Sequence, residues 1–217
     1  MAHDPTKARL IEAAGEEFAA RGFDRATIRS ISKRAGTNVA AVNYHFGDKE
    51  SLYAAALLEA HRAGQEEIDE TADVEVAPAE MLRRFVHRFL TNLAKEAAGS
   101  WRSAMMHREM IEPTKASDVL VREAIRPRFE RLSGAIKALC PDADERRVHA
   151  LTFSVVAQCL HYKAACPISI RLIGEEAYAR LDAEYLTEHI TSFCLAAMGA
   201  AVPESTKVRR VAANART

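Results

Sequence analysis

The chain has no stretch in which apolar and polar residues alternate at every second position for long enough to make a strand. Helix signals recur from one end to the other. The first is DPTKARLIEAAGEEFAARG: Asp4 can cap, Pro5 suits the first helical position, Leu10, Ile11, Ala14 and Phe18 repeat at helical spacing, and Gly22 stops the run. Composition agrees, because aromatic residues are only 6% of a chain that is 48% hydrophobic, and strands favour aromatic and β-branched side chains. The expected fold class is therefore all-α.

TIRSISKRAG follows, with Thr27 as cap, Ile28 and Ile31 facing inward and Gly36 as stop. Next comes TNVAAVNYHFGDKESLY, which crowds small and polar residues into barely two turns before Asp48 caps a longer helix through Leu52, Ala56 and about His61. DETADVEVAP, Asp69 to Pro78, breaks the periodicity. Beyond it the pattern predicts helices near 79–97, 101–111, 116–139, 144–164 and 182–199, several separated by Pro113, Pro141 and Pro167. The polar residues 203–217 predict a flexible tail. The expected division is a helix-turn-helix domain over 1–50, a larger helical domain over 51–202, and that tail.

Two short helices joined by a glycine-containing turn behind a longer first helix form a helix-turn-helix pattern. At about 100° per residue, Val39, Val42 and Phe46 fall on a side that can pack. Thr37, Ala40, Ala41 and Tyr44 fall on the other, flanked by Asn43 and His45. Alanines let a backbone approach base edges, and asparagine can pair with adenine or a phosphate. Tyrosine hydroxyl and imidazole groups reach phosphate oxygens. Thr27 and Lys49 open the neighbouring helices, where backbone N–H groups favour an anionic oxygen. Thr27, Thr37, Asn38, Ala40, Ala41, Asn43, Tyr44, His45 and Lys49 are accordingly the expected DNA contacts. The whole chain has zero formal charge, yet residues 25–49 hold five cations (Arg25, Arg29, Lys33, Arg34, Lys49) against Asp48 alone. A local excess of this kind is what phosphate neutralisation requires.

TIRSISKRAGTNVAAVNYHFGDKESLY resembles the DNA-binding domain of TetR-family transcriptional regulators. The signature is carried by Thr27, Gly36, Tyr44, His45, Phe46 and Lys49, and the resemblance spans about residues 6–60. Asn43 stands where that family often has an aromatic residue. REMIEPTKASDVLVREAIRPRF with VAQCLHY is also similar to a CecR-type subgroup. The resemblance implies a homodimer on a palindromic double-stranded operator and a small-molecule effector in the larger domain. It also implies a repressor released when that effector binds, working in the cytoplasm. VHALTFSVVAQCLHYKA and AEYLTEHITSFCLAAMGA, the two most apolar helices, are the expected dimer contact.

Candidate effector contacts are Trp101, Met105, Arg108, Glu109, Phe129, Phe153, Gln158 and Tyr162, although the same spacing also suits a helical core. His107, His149 and His161 with Cys159 and Cys166 match no standard metal-ligand spacing. No local spacing supplies a nucleophile with its base. No cofactor, metal or catalytic residue is expected, and no apolar run approaches the ~20 residues that span a bilayer. The cysteines lack a CxxC pair and read as reduced, mostly buried thiols. An effector-independent DNA-binding regulator or adaptor remains the alternative reading.

Overall fold

The computed structural model describes residues 4–62, 76–95, 100–164 and 166–200. Every element among them is helical: α1 (Pro5–Arg25), α2 (Ile28–Arg34), α3 (Val39–Phe46), α4 (Lys49–Arg62), α5 (Pro78–Lys95), α6 (Trp101–Ile111), α7 (Ala116–Leu120), a π turn (Val121–Ile125), α8 (Arg126–Leu139), α9 (Glu145–Ala164), α10 (Cys166–Ile173), α11 (Glu175–Ala179) and α12 (Ala183–Met198). The tail reading at 203–217 and most of the Asp69–Pro78 break lie outside the described residues. None of the helices among the described residues is long and apolar enough to cross a membrane.

The start and stop signals act as the sequence implies. Asp4 Oδ1 accepts the N–H groups of Thr6 and Lys7 at 2.9 and 3.3 Å, and those bonds hold its carboxyl below the ordinary aspartate range. Gly22 ends the regular part of α1 at φ 76°, ψ 170°, a backbone that residues with a Cβ rarely adopt. Two departures from the expected helices have local causes. The run expected at 116–139 is interrupted at Val121–Ile125, just before Pro127, which lacks an N–H and crowds the carbonyl four residues back. The wider π turn relieves both. The second departure is α10 and α11, eight and five residues long, in the stretch before 182 that the pattern leaves unassigned; Pro167, read as a separator, sits in the first turn of α10, and Gly174 at φ 85° divides the two helices.

The chain divides into two compact units, Met1–Glu66 with Lys95–Arg128 and Glu67–Ala94 with Phe129–Thr217. In the first, Leu10, Phe18, Ile31, Val42, Leu52 and Met105 share a core drawn from α1 to α4 and α6. Phe18 and Phe23 meet the Tyr53 ring edge-on at 4.8 and 5.2 Å. Gly15 gives α6 its seat: a Cβ there would lie 2.2 Å from the Trp101 ring. Trp101 Nε1 donates to Glu12 at 2.7 Å, and Arg102 stacks on the indole at 4.5 Å while donating to the same carboxylate.

The other end of α6 carries a buried carboxylate. Glu109, 4% exposed, accepts from Tyr53 Oη at 2.7 Å, Thr114 N at 2.8 Å, Thr114 Oγ1 at 2.9 Å and Ser117 Oγ at 2.5 Å. Burial alone would raise its pKa, but the bonds from Ser117, Thr114 and Tyr53 outweigh it and the net shift is downward. Burial, then the adjoining carboxylate, pushes the Tyr53 phenol up.

The second unit closes around Leu82, Val86, Leu132, Ile136, Val155 and Ile190, with Arg83 Nε donating to Glu188 Oε1 at 2.8 Å. Two of its thiols pack in that core. Cys159 and Cys194 are buried and free, and burial pushes Cys159 up to about 12.

Gly15→Ala should lower stability by about 1–3 kcal/mol through overpacking, measured by urea unfolding, and the cost should vanish in a Trp101→Ala background. Glu109 supplies a separate pH test. A carboxylate whose folded pKa is depressed stabilises the fold above its unfolded value and loses that contribution as pH falls through the folded one. Glu109→Gln should therefore melt below the wild type at neutral pH, and the gap should close on acidification below the ordinary glutamate range.

Candidate nucleic-acid interface

α3 is a rod of eight residues, capped by Asn38 Oδ1, which accepts the Ala41 N–H at 2.9 Å, and ended by Gly47 at φ 82°. Its two sides differ sharply. Val42 is fully buried and Phe46 half-buried against the core of the first unit. Ala40 and Asn43 are exposed, and Tyr44 is 85% exposed. An accessible side with short residues first and longer donors behind is what a helix entering the major groove presents.

Three residues sit differently from the helical-wheel expectation. Val39 is 43% exposed, not packed inward, because contact with the core begins only at Ala41 and Val42 and the first turn stands clear of it. It belongs with the outward side. Ala41 is half-buried against the core. Thr37 is half-buried as well, and its Oγ1 is enclosed without a partner.

The polar groups around α3 divide into those the protein holds and those it leaves free. Thr27 and Ser30 form a reciprocal cap on α2: the Ser30 N–H donates to Thr27 Oγ1 at 3.1 Å and the Thr27 N–H to Ser30 Oγ at 3.3 Å. His45 lies 3.6 Å from Asp4, which ties the end of α3 to the start of α1. Lys49 Nζ stands 4.4 Å over the Phe23 ring and donates to the Asp24 carbonyl at 3.3 Å. Arg34 is committed to Glu16 at 2.8 Å and Glu17 at 3.6 Å. Arg25, Arg29 and Lys33 are exposed and form no ion pair among the described residues. The pairing of Arg34 is the feature that sequence reasoning missed, and the adjacent acids Glu16 and Glu17 on α1 were its signal.

The eight candidate effector contacts are split between the units. Trp101 and Glu109 are engaged as described above, Met105 is core, and the Arg108 guanidinium lies against Gly22 and 3.9 Å from Glu112. In the second unit Phe129 pairs with Phe153 at 5.2 Å, Gln158 donates to Cys194 Sγ at 3.3 Å and to the Ser154 carbonyl at 3.4 Å, and the Tyr162 carbonyl accepts from Tyr178 at 3.3 Å. A groove of about 380 Å³ in the first unit is walled by Phe23, Glu50, Ser51, Tyr53, Ala54, Thr114, Lys115, Ala116 and Val119. None of the eight candidates lines it.

A helix-turn-helix head with a free face on its second short helix defines a DNA-binding regulator, and known proteins bear this out. Residues 10–56 match the bacterial regulatory proteins of the tetR family. Residues 78–198 match the C-terminal domain of the HTH-type transcriptional dual regulator CecR. The chain belongs to the TetR family and carries the CecR-type C-terminal domain. It is 26% identical to the HTH-type transcriptional dual regulator CecR of Shigella flexneri over 199 residues, 87% of this chain and 89% of that one. It is 36% identical over 74 residues to the HTH-type transcriptional repressor AcnR of Corynebacterium glutamicum, 33% of this chain and 39% of that one. Among solved structures, a TetR-like transcriptional regulator from Rhodococcus sp. RHA1 shares the fold at TM-score 0.60 and 16% identity, covering 92% of this chain and 98% of that one.

The free cations and the committed one should separate in salt titrations of DNA binding. Arg29→Ala and Lys33→Ala should each flatten the slope of log affinity against log salt by about 1, whereas Arg34→Ala should chiefly lower the melting temperature.

Proposed function

We propose that this chain is a ligand-responsive repressor, released from a palindromic operator by a small-molecule effector. Residues 1–50 read the DNA, and residues 51–202 bind the effector and hold two copies together. The carrying observation is α3 itself, with Val42 inside and Ala40, Asn43 and Tyr44 outside. That arrangement costs apolar burial in a helix too short to spare any, and a groove-reading role accounts for it.

A single head of this size reads few base pairs, and two copies about one helical turn apart, roughly 34 Å, double the contacts. The homodimer contact is assigned to α9 and α12. Phe153 on α9 and Tyr185 and Phe193 on α12 are exposed, and a two-fold interface lets one apolar patch pack on its own copy. In the larger domain, Phe129 and Tyr162 are aromatic and only half-buried. The Gln158 amide has just a thiol and a carbonyl as acceptors. These three are the groups an apolar effector with one polar function would recruit. Release follows only to the extent that the effector binds the DNA-free state more tightly than the DNA-bound one. The protein acts in the cytoplasm, where it meets chromosomal DNA.

Selection from a randomised duplex pool tests the reading. The wild type should enrich an inverted repeat and protect it in a footprint, and Tyr44→Ala should lose that enrichment. Failure of the wild type to enrich any duplex would remove the DNA-reading assignment. Compounds that raise the melting temperature should include one that also displaces the selected duplex; if none does, the effector-independent regulator replaces the ligand-responsive one.

A further inference from the structure

Away from α3, the far end of α6 carries the buried carboxylate of Glu109. Glu109 spends both oxygens on four donors from α4, the α6–α7 turn and α7, three on Oε1 and the Tyr53 hydroxyl on Oε2. Its bond to Tyr53 also begins a path that ends at the DNA-facing side of the head. Tyr53 is 1% exposed and meets Phe23 edge-on at 5.2 Å. Phe23 carries the Lys49 ammonium 4.4 Å above its ring, and the same ammonium donates to the Asp24 carbonyl one residue on. Two side chains, Tyr53 and Phe23, therefore separate a buried carboxylate on α6 from a cation expected on phosphate.

We infer that Glu109 and Tyr53 are positioning residues for Lys49, holding the Phe23 ring as the shelf from which that ammonium reaches a phosphate. The inference rests on the DNA-reading function proposed above. The Tyr53–Glu109 bond tethers the phenol ring at its tip, and losing either the hydroxyl or the carboxylate leaves that ring held by packing alone. The same ring is packed edge-on against both Phe18 and Phe23, so a shift of it is passed to the shelf. The Ser117 bond differs in partner: it joins Glu109 Oε1 to α7, whereas the Tyr53 hydroxyl donates to Oε2. Removing it should loosen the hub on the α7 side alone.

This difference provides the test. The duplex selected by the wild type is titrated with salt at a temperature where circular dichroism shows every variant folded. Lys49→Ala should weaken binding and flatten the salt slope by about 1, as loss of a single phosphate contact does. Tyr53→Phe, which removes one oxygen, and Glu109→Gln should flatten it by the same amount. Adding Lys49→Ala to either should produce no further change in slope. Ser117→Ala should lower the melting temperature yet leave the slope at the wild-type value. Tyr53→Phe and Glu109→Gln with wild-type slopes would overturn the inference, as would Ser117→Ala flattening the slope equally, which would mark general loosening of the hub. If Glu109→Gln does not fold, Tyr53→Phe decides alone. A wild type that selects no duplex refutes the DNA reading itself, a different result from a wild type that binds with an unaltered Tyr53→Phe.

Discussion

An eight-residue helix does not persist in water on its own hydrogen bonds, because the nucleus costs more than so few turns return. α3 exists because Val42 is buried with Phe18, Ile31 and Leu52, a contribution of about 2 kcal/mol, and because Asn38 caps its first turn. That dependence runs through the whole reading head. The inner side of α3 must supply all the attachment, and only then is the outer side free of any packing duty. α1, α2, α4 and α6 can be understood as the wall that makes the attachment possible, with Gly15 and Trp101 setting how closely α6 approaches it.

The helices were legible wherever a cap or a stop had a chemical signature. Asp4 with Pro5, Thr27, Asp48 and Gly22 marked real boundaries. The stretch after α9 was less legible: Pro167 read as a separator, yet it lies in the first turn of α10, and α11 is only five residues long. Pro127 was visible in the sequence, but its effect was not, since a widened turn keeps the chain helical where a break was the alternative. What sequence periodicity cannot show is where a helix first meets its support. The wheel put Val39 inward by angle, and the structure puts it outward by height along the axis.

The site shows the same limit in another form. Residue type and spacing pointed to α3 and to the family, because the pattern there is local: a capped helix of small and polar residues behind a glycine turn. Partners distant in sequence were hidden. Tyr53 and Glu109 are 56 residues apart and Trp101 and Glu12 are 89 apart, and nothing in a one-dimensional pattern pairs them. Trp101, Met105 and Glu109 looked like the makings of a pocket because aromatic, sulfur-containing and charged residues close together suit a pocket and an interhelical seam equally well. Only the third dimension distinguishes the two.

Charge shows why whole-chain totals mislead and local ones need correcting. A protein with no net charge can bind a polyanion if its cations are gathered on one side and its anions are occupied elsewhere. Between residues 25 and 49 the excess is four, but it is not four equivalent charges. Arg34 is neutralised by Glu16 and Glu17, and Lys49 is already solvated by a ring face and a carbonyl. Arg25, Arg29 and Lys33 keep only water and counterions. Moving a phosphate up to these three displaces counterions and breaks no internal bond, so they gain the full entropic return of release. Lys49 instead exchanges one partner for another. Its place on Phe23 gives it a more defined direction. On the proposed DNA-reading role, the head would combine cations that supply affinity with one whose position helps to set the register.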